Sequence, residues 1–425
     1  MVPWLIRAAA MRPEHLALQS AGERLTYGEL EMRARRSAGA LAERGVGAGD
    51  RVALALPAGL PFCAALHGCA LLGAVAVPID LRLSPAEREL RLQGVSAVVE
   101  DGLQGPPLQE IAPLELDRVA TLMYTSGTTA TPKAVPLTYR NWLASALGSA
   151  ATLGLDRRER WLCPLPLAHV GGLSIILRSA IYGTTVVLAD RFDAAAMAAA
   201  LADASEPITL VSLVATMLER VLDGGLRTPP ALRWVLLGGG PIPASLLERA
   251  RDAGVPVAPT YGMTEACSQI ATFGWPLPET ELGISADGEV LVRGPTVSRA
   301  ALSADGWLHT GDLGALDKRG KLSLQGRRSE LIVSGGENVA PMEVEEVLRS
   351  HPAVADAAVF GRPDAEWGEA VIAAIVPSDG MRPDRSQLRD HCAQRLARFK
   401  VPKSFEFVER LPRTASGKLL RRELR

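Results

Sequence analysis

Apolar residues recur along the first part of the chain with spacings that alternate between those of a helix and a strand. Residues 26–45 carry apolar or small residues at helical spacing after Thr26, a residue type that favours a helix start. Residues 51–56 form a mostly apolar run typical of a buried strand, residues 62–72 are predicted as a helix, and residues 74–79 as another strand. This strand–helix–strand order predicts a parallel sheet in an α/β architecture.

The same alternation returns in the middle of the chain and changes near the end. Strands are predicted at residues 184–189, 208–212 and 234–237, with helices at 194–204, 214–222 and 244–253. After about residue 327, the pattern predicts a helix at 341–350, strands at 355–360 and 370–376, a helix at 386–398 and a strand at 404–408. We therefore predict an α/β protein with a large N-terminal domain of parallel and mixed sheets flanked by helices (residues 1–327), and a small mobile α+β C-terminal domain (residues 328–425).

Composition and charge exclude several classes of protein. The chain is 48% hydrophobic and 22% charged, and its 46 basic against 47 acidic residues give a formal net charge of −1. This balance supplies no long-range attraction to phosphate polymers, so we expect no nucleic-acid partner. The most apolar window, residues 62–77, is interrupted by His67 and Gly68 and is short for a bilayer span, so we expect no membrane insertion. The five cysteines show no C-x-x-C spacing, and no cleavable leader is visible, which favours a cytoplasmic location.

The segment richest in chemistry is residues 124–133 (YTSGTTATPK), which follows an apolar strand candidate. Backbone N–H groups, hydroxyls and one cation suit a loop that wraps a polyphosphate. The segment is not a Walker A loop, because Pro132 precedes and Ala134 follows Lys133. Taken alone, it is either a phosphate loop or an ordinary polar turn.

Further motifs follow in a fixed order. They are residues 238–243 (GGGPIP), 260–265 (TYGMTE), 306–312 (GWLHTGD), 326–327 (GR), 335–345 (GGENVAPMEVE) and 412–418 (PRTASGK). Together with the loop, and over nearly the whole chain, they resemble the adenylate-forming superfamily of acyl-CoA synthetases, luciferases and peptide-synthetase adenylation domains. The resemblance implies an enzyme whose ligands are ATP, Mg²⁺, a small-molecule carboxylic acid and an acceptor thiol.

The resemblance also implies a role for each motif. The nucleotide-binding positions would be Thr125, Ser126, Gly127, Thr128 and Thr129 around the phosphates, Gly238, Gly239, Gly240, Thr260, Tyr261, Gly262 and Met263 around the adenine, and Asp312 and Arg327 at the ribose. The catalytic positions would be Lys133, Thr264, Glu265 and Lys418, with Glu265 also holding Mg²⁺, which prefers carboxylate and phosphate oxygens.

In the superfamily, the lysine at the position of Lys418 approaches the attacking carboxylate and the α-phosphate during adenylation. Rotation of the small domain about a hinge, here at residues 328–330, then replaces that lysine by the face at residues 335–338 for transfer to CoA.

Two stretches, residues 164–183 and 260–272, resemble the branch of the superfamily that activates o-succinylbenzoate for menaquinone biosynthesis. The benzoate group of that diacid needs a polar or cationic anchor in addition to the general carboxylate site. The candidates for acyl contacts are His169, Arg178, Ser268, Gln269 and Thr272. A satisfied core histidine remains the alternative for His169, and a structural ion pair the alternative for Arg178.

Two residues depart from the superfamily loop, in which glycine usually stands at the positions of Ala130 and Ala134. If either position requires a positive φ, alanine adds strain there.

The expected activity is adenylation of an acid, with release of pyrophosphate, followed by acyl transfer to CoA with release of AMP. The alternatives are an aryl- or fatty-acyl-CoA ligase, an adenylation domain that loads a carrier protein, and a non-catalytic nucleotide-binding relative. A homo-oligomer is left open.

Overall fold

The computed structural model describes residues 1–125, 132–381, 383–413 and 419–424. In these residues the helices are α1 (Trp4–Met11), α2 (Tyr27–Glu43), α3 (Leu60–Leu72), α4 (Pro85–Leu92), α5 (Tyr139–Leu153), α6 (Val170–Tyr182), α7 (Ala194–Ala202), α8 (Ala215–Asp223), α9 (Ala244–Asp252), α10 (Pro341–Arg349) and α11 (Arg385–Ala393). The strands are β1 (Leu16–Ser20), β2 (Glu23–Thr26), β3 (Arg51–Leu54), β4 (Val75–Pro78), β5 (Ala97–Val99), β6 (Val119–Thr125), β7 (Lys133–Thr138), β8 (Arg160–Cys163), β9 (Thr185–Leu188), β10 (Leu210–Leu213), β11 (Trp234–Leu237), β12 (Val257–Met263), β13 (Ser268–Thr272), β14 (Trp275–Pro276), β15 (Glu281–Ile284), β16 (Glu289–Arg293), β17 (Leu308–Leu316), β18 (Leu322–Arg327), β19 (Ile332–Ser334), β20 (Glu337–Val339), β21 (Val354–Asp364), β22 (Gly368–Pro377) and β23 (Ser404–Phe407).

The largest sheet of the described chain has nine strands in the order β14-β13-β12-β11-β10-β8-β9-β1-β2. The strands from β12 to β1 run parallel, while β13, β14 and β2 join antiparallel at the two edges. Alternate residues of the central strands belong to different cores: Leu162 and Val211 pack with α7, α8 and α9, whereas Trp161 and Leu210 pack with α1, α2, α3, α5 and α6. The sheet is therefore covered by helices on both faces, as parallel sheets are.

A second sheet, in the order β5-β3-β4-β6-β7, is parallel except for its β6–β7 pair. Strands β15 to β18 form a separate antiparallel sheet. From Ile332 onward the chain builds its own mixed sheet, β20-β19-β22-β21 with β23 beside β22, around a core that draws only on residues 332–405. The predicted mixed α/β fold with a distinct C-terminal α+β unit is confirmed.

Local signals predicted seven of the eleven helices in the described residues and fewer than half of the strands, and they did not predict every end. Helix α2 begins after Thr26, whose side chain and that of Glu29 form the expected capping box. The helix predicted over residues 386–398 instead ends at Ala393, because the chain turns so that the N–H groups of Arg395 and Leu396 both reach the carbonyl of Cys392. Across the described residues, none of the helices combines the length and the apolar character that a membrane crossing demands.

Helix α2 and the segment that joins β5 to β6 pack with their backbones in contact. A Cβ atom added to Gly39 would lie 1.8 Å from the carbonyl oxygen of Pro106. The same segment donates the Leu108 N–H to the carbonyl of Arg35 at 3.0 Å. The connection at residues 102–113 is thus held tightly against α2.

We expect Gly39→Ala to lower the free energy of unfolding by about 1–3 kcal/mol, because the added methyl group must displace backbone atoms. Gly28→Ala is the matched control in the same helix, since its Cβ would lie 3.4 Å from the nearest heavy atom, an ordinary contact. Denaturant unfolding of both variants measures the difference. Equal stability of the two would show that the α2 contact is looser than described.

Candidate active site

The glycine run after β11 lies against the β12–β13 hairpin. A Cβ atom on Gly238 would lie 2.8 Å from Cγ2 and 2.9 Å from the carbonyl oxygen of Thr260, so only glycine allows this approach. Gly239 and Gly240 follow on the exposed side of the same turn. The structure therefore brings together two motifs that the sequence separates by some twenty residues, and we call the surface that they form the glycine wall.

Asp312 joins that wall to the antiparallel sheet. It lies in β17 directly opposite Arg327 of β18, and the Nε of Arg327 is 2.9 Å from its Oδ1. The hydroxyl of Tyr261 donates a hydrogen bond of 2.7 Å to the other carboxylate oxygen. Burial, and then the neighbouring carboxylate, raise the pKa of Tyr261 well above its usual value, so the phenol keeps its proton and remains a donor. Asp312 is thus fixed from both sides.

Glu265 and the β6–β7 hairpin meet through Ser298. Thr264 and Glu265 lie in a short 3₁₀ turn after β12, and Met263 packs against the apolar core beneath them. The Ser298 N–H donates to the carbonyl of Glu265 at 2.8 Å, while the Ser298 hydroxyl donates to the carbonyl of Pro136 in β7 at 2.6 Å. The half-buried Glu265 therefore lies beside the hairpin that carries the predicted phosphate loop.

The flanks of that loop are described and its tip is not. Thr125 pairs with Lys133 across the antiparallel β6–β7 ladder, and Lys133 is exposed. Ser126, Gly127, Thr128, Thr129 and Ala130 lie outside the described residues, as does Lys418 near the end of the chain. Ala134 pairs with Tyr124 in the strand and has no positive φ, so the strain considered for alanine at this position is absent.

Arg178 is the most unusual charged residue of the region. It lies on α6, is 1% exposed, and donates from Nη2 to the hydroxyl of Ser145 at 2.9 Å. Its Nε and Nη1 have no hydrogen-bond partner among the described residues. Burial lowers the pKa of the guanidinium, and its ionisable neighbours are Tyr182 and Cys267 rather than a carboxylate. The structural ion pair considered for Arg178 is therefore absent from the described chain.

Ser268, Gln269 and Thr272 lie on β13, next to the glycine wall. The Gln269 amide donates to the Thr272 hydroxyl at 2.8 Å, and that hydroxyl is 3.0 Å from the hydroxyl of Thr260. Ser268 has a φ of 94° after Cys267 at 52°, a strained pair of residues of the kind that concentrates at functional sites. The Ser145 hydroxyl donates to the Cys267 carbonyl at 2.8 Å, which connects these residues to Arg178.

His169 stands apart from this group. It is the N-cap residue of α6, its side chain is 47% exposed, and its Nε2 lies 3.7 Å from a carboxylate oxygen of Asp80. Desolvation by the surrounding protein lowers the pKa of His169 against the opposing effect of Asp80, although the ring keeps an open edge. It is therefore not a satisfied core histidine, and no described hydrogen bond joins it to Arg178 or β13.

Sequence reasoning missed several residues that position these groups. Asp80 could have been noticed, because it follows the buried strand β4 at its carboxyl end, where ligands of parallel sheets bind. Ser145 and Ser298 carry no such signal, since each acts on a segment more than a hundred residues away.

Comparison with known proteins defines the class. The family model of the AMP-binding enzyme matches residues 5–99 and 96–300, and the model of the AMP-binding enzyme C-terminal domain matches residues 343–418. This chain belongs to the AMP-binding enzyme family.

Individual relatives narrow the comparison. The chain is 41% identical to a 2-succinylbenzoate–CoA ligase of Bacillus licheniformis, over 99% of this chain and 98% of the relative. It is similar to the o-succinylbenzoate CoA synthetase of Bacillus subtilis in complex with the acyl-adenylate intermediate, with a TM-score of 0.90, 38% identity, and coverage of 100% of this chain and 98% of that one. The same enzyme in complex with ATP and magnesium ion gives a TM-score of 0.90 at 39% identity, with 99% of each chain covered.

The similarity depends on the state of that enzyme. A double mutant of the B. subtilis synthetase, bound with its product analogue OSB-NCoA, gives a TM-score of only 0.73 at 40% identity, over 99% of this chain and 97% of that one. The double mutant has nearly the same sequence as the B. subtilis enzyme in the other complexes. The lower TM-score therefore reflects a different arrangement of that enzyme's chain. The arrangement described here is closer to that of the acyl-adenylate complex.

We expect Tyr261→Phe to raise the KM for ATP at least about tenfold, because loss of a hydrogen bond to a carboxylate costs roughly 1.5–3 kcal/mol. The ring remains, so only the orientation of Asp312 changes. Steady-state kinetics with varied ATP measure the effect, with Tyr182→Phe as the control that removes a hydroxyl bonded to the carbonyl of Ala146 instead. An unchanged KM in Tyr261→Phe would argue against a nucleotide contact at Asp312.

Proposed function

We propose that this chain is an ATP-dependent ligase that adenylates o-succinylbenzoate with release of pyrophosphate, and then transfers the acyl group to CoA with release of AMP. The relatives at about 40% identity over the full length carry that activity in their names. Local contacts among the residues expected from the sequence support it: Gly238 packs against Thr260, the next residue Tyr261 donates to Asp312, and Glu265 follows four residues later.

In this proposal the glycine wall, Asp312 and Glu265 bind MgATP. Asp312 accepts hydrogen bonds from the ribose hydroxyls, with its orientation fixed by Tyr261 and Arg327. No group of three or more His, Cys, Asp or Glu in the described residues is placed to hold a metal ion. Mg²⁺ bound mainly through phosphates needs only one or two carboxylates, so the half-buried Glu265 fits that requirement. When bound, Mg²⁺ neutralises part of the charge that develops on the phosphates.

The remaining expectations from the sequence belong to the same proposal. Lys133 and Lys418 supply positive charge to the phosphates and to the attacking carboxylate. The small domain begins near residue 328 and rotates between the two half-reactions, which take place in the cytoplasm. Analytical ultracentrifugation would determine whether the enzyme is a homo-oligomer.

Arg178 is the residue that favours a diacid substrate over an acid with one carboxylate. A buried guanidinium with two unpaired donors is costly unless an anion completes it. The acids used by aryl- and fatty-acyl-CoA ligases bring only the carboxylate that reacts, whereas o-succinylbenzoate brings a second. We therefore propose that Arg178 binds the benzoate carboxylate, with Ser268, Gln269 and Thr272 around the acyl chain and His169 at the edge of the pocket.

A screen of acids with the purified protein tests the activity. We expect thioester formation with o-succinylbenzoate, ATP, Mg²⁺ and free CoA, and turnover of benzoate and octanoate that is lower by at least about a hundredfold in kcat/KM, which is about 2.7 kcal/mol of discrimination. Activity with benzoate or octanoate only would favour the aryl- or fatty-acyl ligase. A requirement for a carrier protein would favour the adenylation domain, and background pyrophosphate exchange with every acid would favour the non-catalytic relative.

We expect Arg178→Met to raise the KM for o-succinylbenzoate at least about tenfold, since a charge-assisted hydrogen bond is lost. Its free energy of unfolding should fall by no more than about 1 kcal/mol, because replacing an unpaired buried charge by an apolar side chain is often neutral. Arg233→Met is the control: it orphans the buried Glu159, bound at 2.7 Å, and should destabilise the protein by about 3–5 kcal/mol. Severe unfolding of Arg178→Met would indicate a structural role for Arg178.

A further inference from the structure

An ion-pair network in the C-terminal unit is centred on a buried carboxylate. Glu345 of α10 is 1% exposed and accepts hydrogen bonds from Arg421, at 2.8 and 2.9 Å from Nη2 and 3.1 Å from Nε, and from the Val359 N–H at 2.8 Å. The remaining nitrogen of Arg421, Nη1, binds Glu330. Arg421 therefore connects two carboxylates that lie in different parts of the chain.

Glu330 and Arg421 each lie close in sequence to a residue assigned to the active site. Glu330 lies three residues after Arg327, which holds Asp312. Arg421 lies three residues after Lys418. The Glu330–Arg421 pair is thus a short path between the residues assigned to the ribose and the segment that bears the assigned catalytic amine.

The segment before Lys418 is held separately. Arg413 binds Asp356 at 2.6 Å, and Asp356 also binds Arg349, which shares Glu345 with Arg421. The Leu420 N–H donates to the carbonyl of Pro412 at 2.9 Å, which ties the two flanks of residues 414–418 together. These contacts fix the flanks to the small domain, while Glu330 alone of the network lies in the turn that follows Arg327.

Glu330 is not needed to neutralise Arg421. Glu345 already forms a bidentate pair with that guanidinium, and Glu330 is 24% exposed while Glu345 is buried. Removing Glu330 therefore leaves no unpaired buried charge, in contrast to removing Arg421. The main effect of the Glu330 carboxylate is therefore to restrain the turn after Arg327 relative to the segment that contains Arg421.

We propose that Glu330 and Arg421 are positioning residues that set where the Lys418 segment stands relative to the ribose site during adenylation. Rate depends steeply on such placement, because an error of about 1 Å can cost about a hundredfold. The role rests on the proposed function. It predicts that the pair matters for the first half-reaction and not for the second, in which the small domain is rotated.

The test compares Glu330→Ala, Glu330→Gln and Glu343→Ala. Glu343→Ala is the matched control, since it breaks the Glu343–Lys400 pair of the same unit, at 2.7 Å, away from Arg327 and Arg421. Adenylate formation from o-succinylbenzoate and ATP, and thioester formation from preformed acyl-adenylate and CoA, are measured separately by rapid quench. Hydrogen exchange of the amides in residues 419–424 is measured without substrates.

We expect Glu330→Ala to lower the kcat of adenylation at least about tenfold, with the KM for ATP and the thioester step within about twofold of the wild type. Glu330→Gln should recover part of the loss because it keeps a hydrogen-bond acceptor for Arg421, and Glu343→Ala should behave as the wild type. Equal losses in both half-reactions, or no loss in Glu330→Ala, would overturn the assignment.

Hydrogen exchange separates failure of this role from failure of the proposed function. If the wild type adenylates no o-succinylbenzoate, the proposed function fails. Restraint of this segment by the Glu330–Arg421 pair still predicts hydrogen exchange in residues 419–424 that is at least about fivefold faster in Glu330→Ala than in the wild type and in Glu343→Ala. Identical exchange in all three proteins would contradict the proposed role of the Glu330–Arg421 pair, whatever activity is measured.

Discussion

The cross-strand contact between Asp312 and Arg327 is the interaction on which the rest of the site depends. It lies where the antiparallel sheet β15–β18 ends, and its carboxylate also receives the Tyr261 hydroxyl from the large sheet. The Asp312 side chain therefore contacts both sheets and depends on their relative position. Strand β18 ends at Arg327 and the first strand of the C-terminal unit begins at Ile332, so the contact at Asp312 lies close to the start of that unit.

Buried charges in the protein divide into two kinds. Glu159 with Arg233, and Glu345 with Arg421, are compensated by partners at close distance and stabilise the packing around them. Arg178 is equally buried but has a hydroxyl and an aromatic ring, Trp161, as its described contacts. Because an uncompensated charge in the interior is unfavourable, its presence points to a ligand more strongly than the paired residues do.

The sequence predicted what local patterns and motifs determine. The capping box at Thr26 and the alternating strands follow from spacing, and the mixed α/β fold follows from their order. The end of α11 could not be predicted, because residues beyond Ala393 keep helical spacing while Leu396 and Phe399 turn to the C-terminal core. Motifs likewise name residues such as Asp312 but not their partners. Ser145 with Arg178, and Glu330 with Arg421, lie 33 and 91 residues apart, so only the folded chain shows them together.

The antiparallel pairing of Thr125 with Lys133 has a consequence for the kind of positive charge that the phosphates of the proposed nucleotide would meet. In a Walker-type site the chain passes from the loop into a helix whose dipole faces the phosphates. Here the chain continues from Lys133 as the extended strand β7, so in the described part of the chain no helix begins directly after Lys133. In the proposed function, the phosphates meet solvated cations such as the exposed Lys133 ammonium, whose attraction mobile salt ions weaken far more than they weaken a buried dipole.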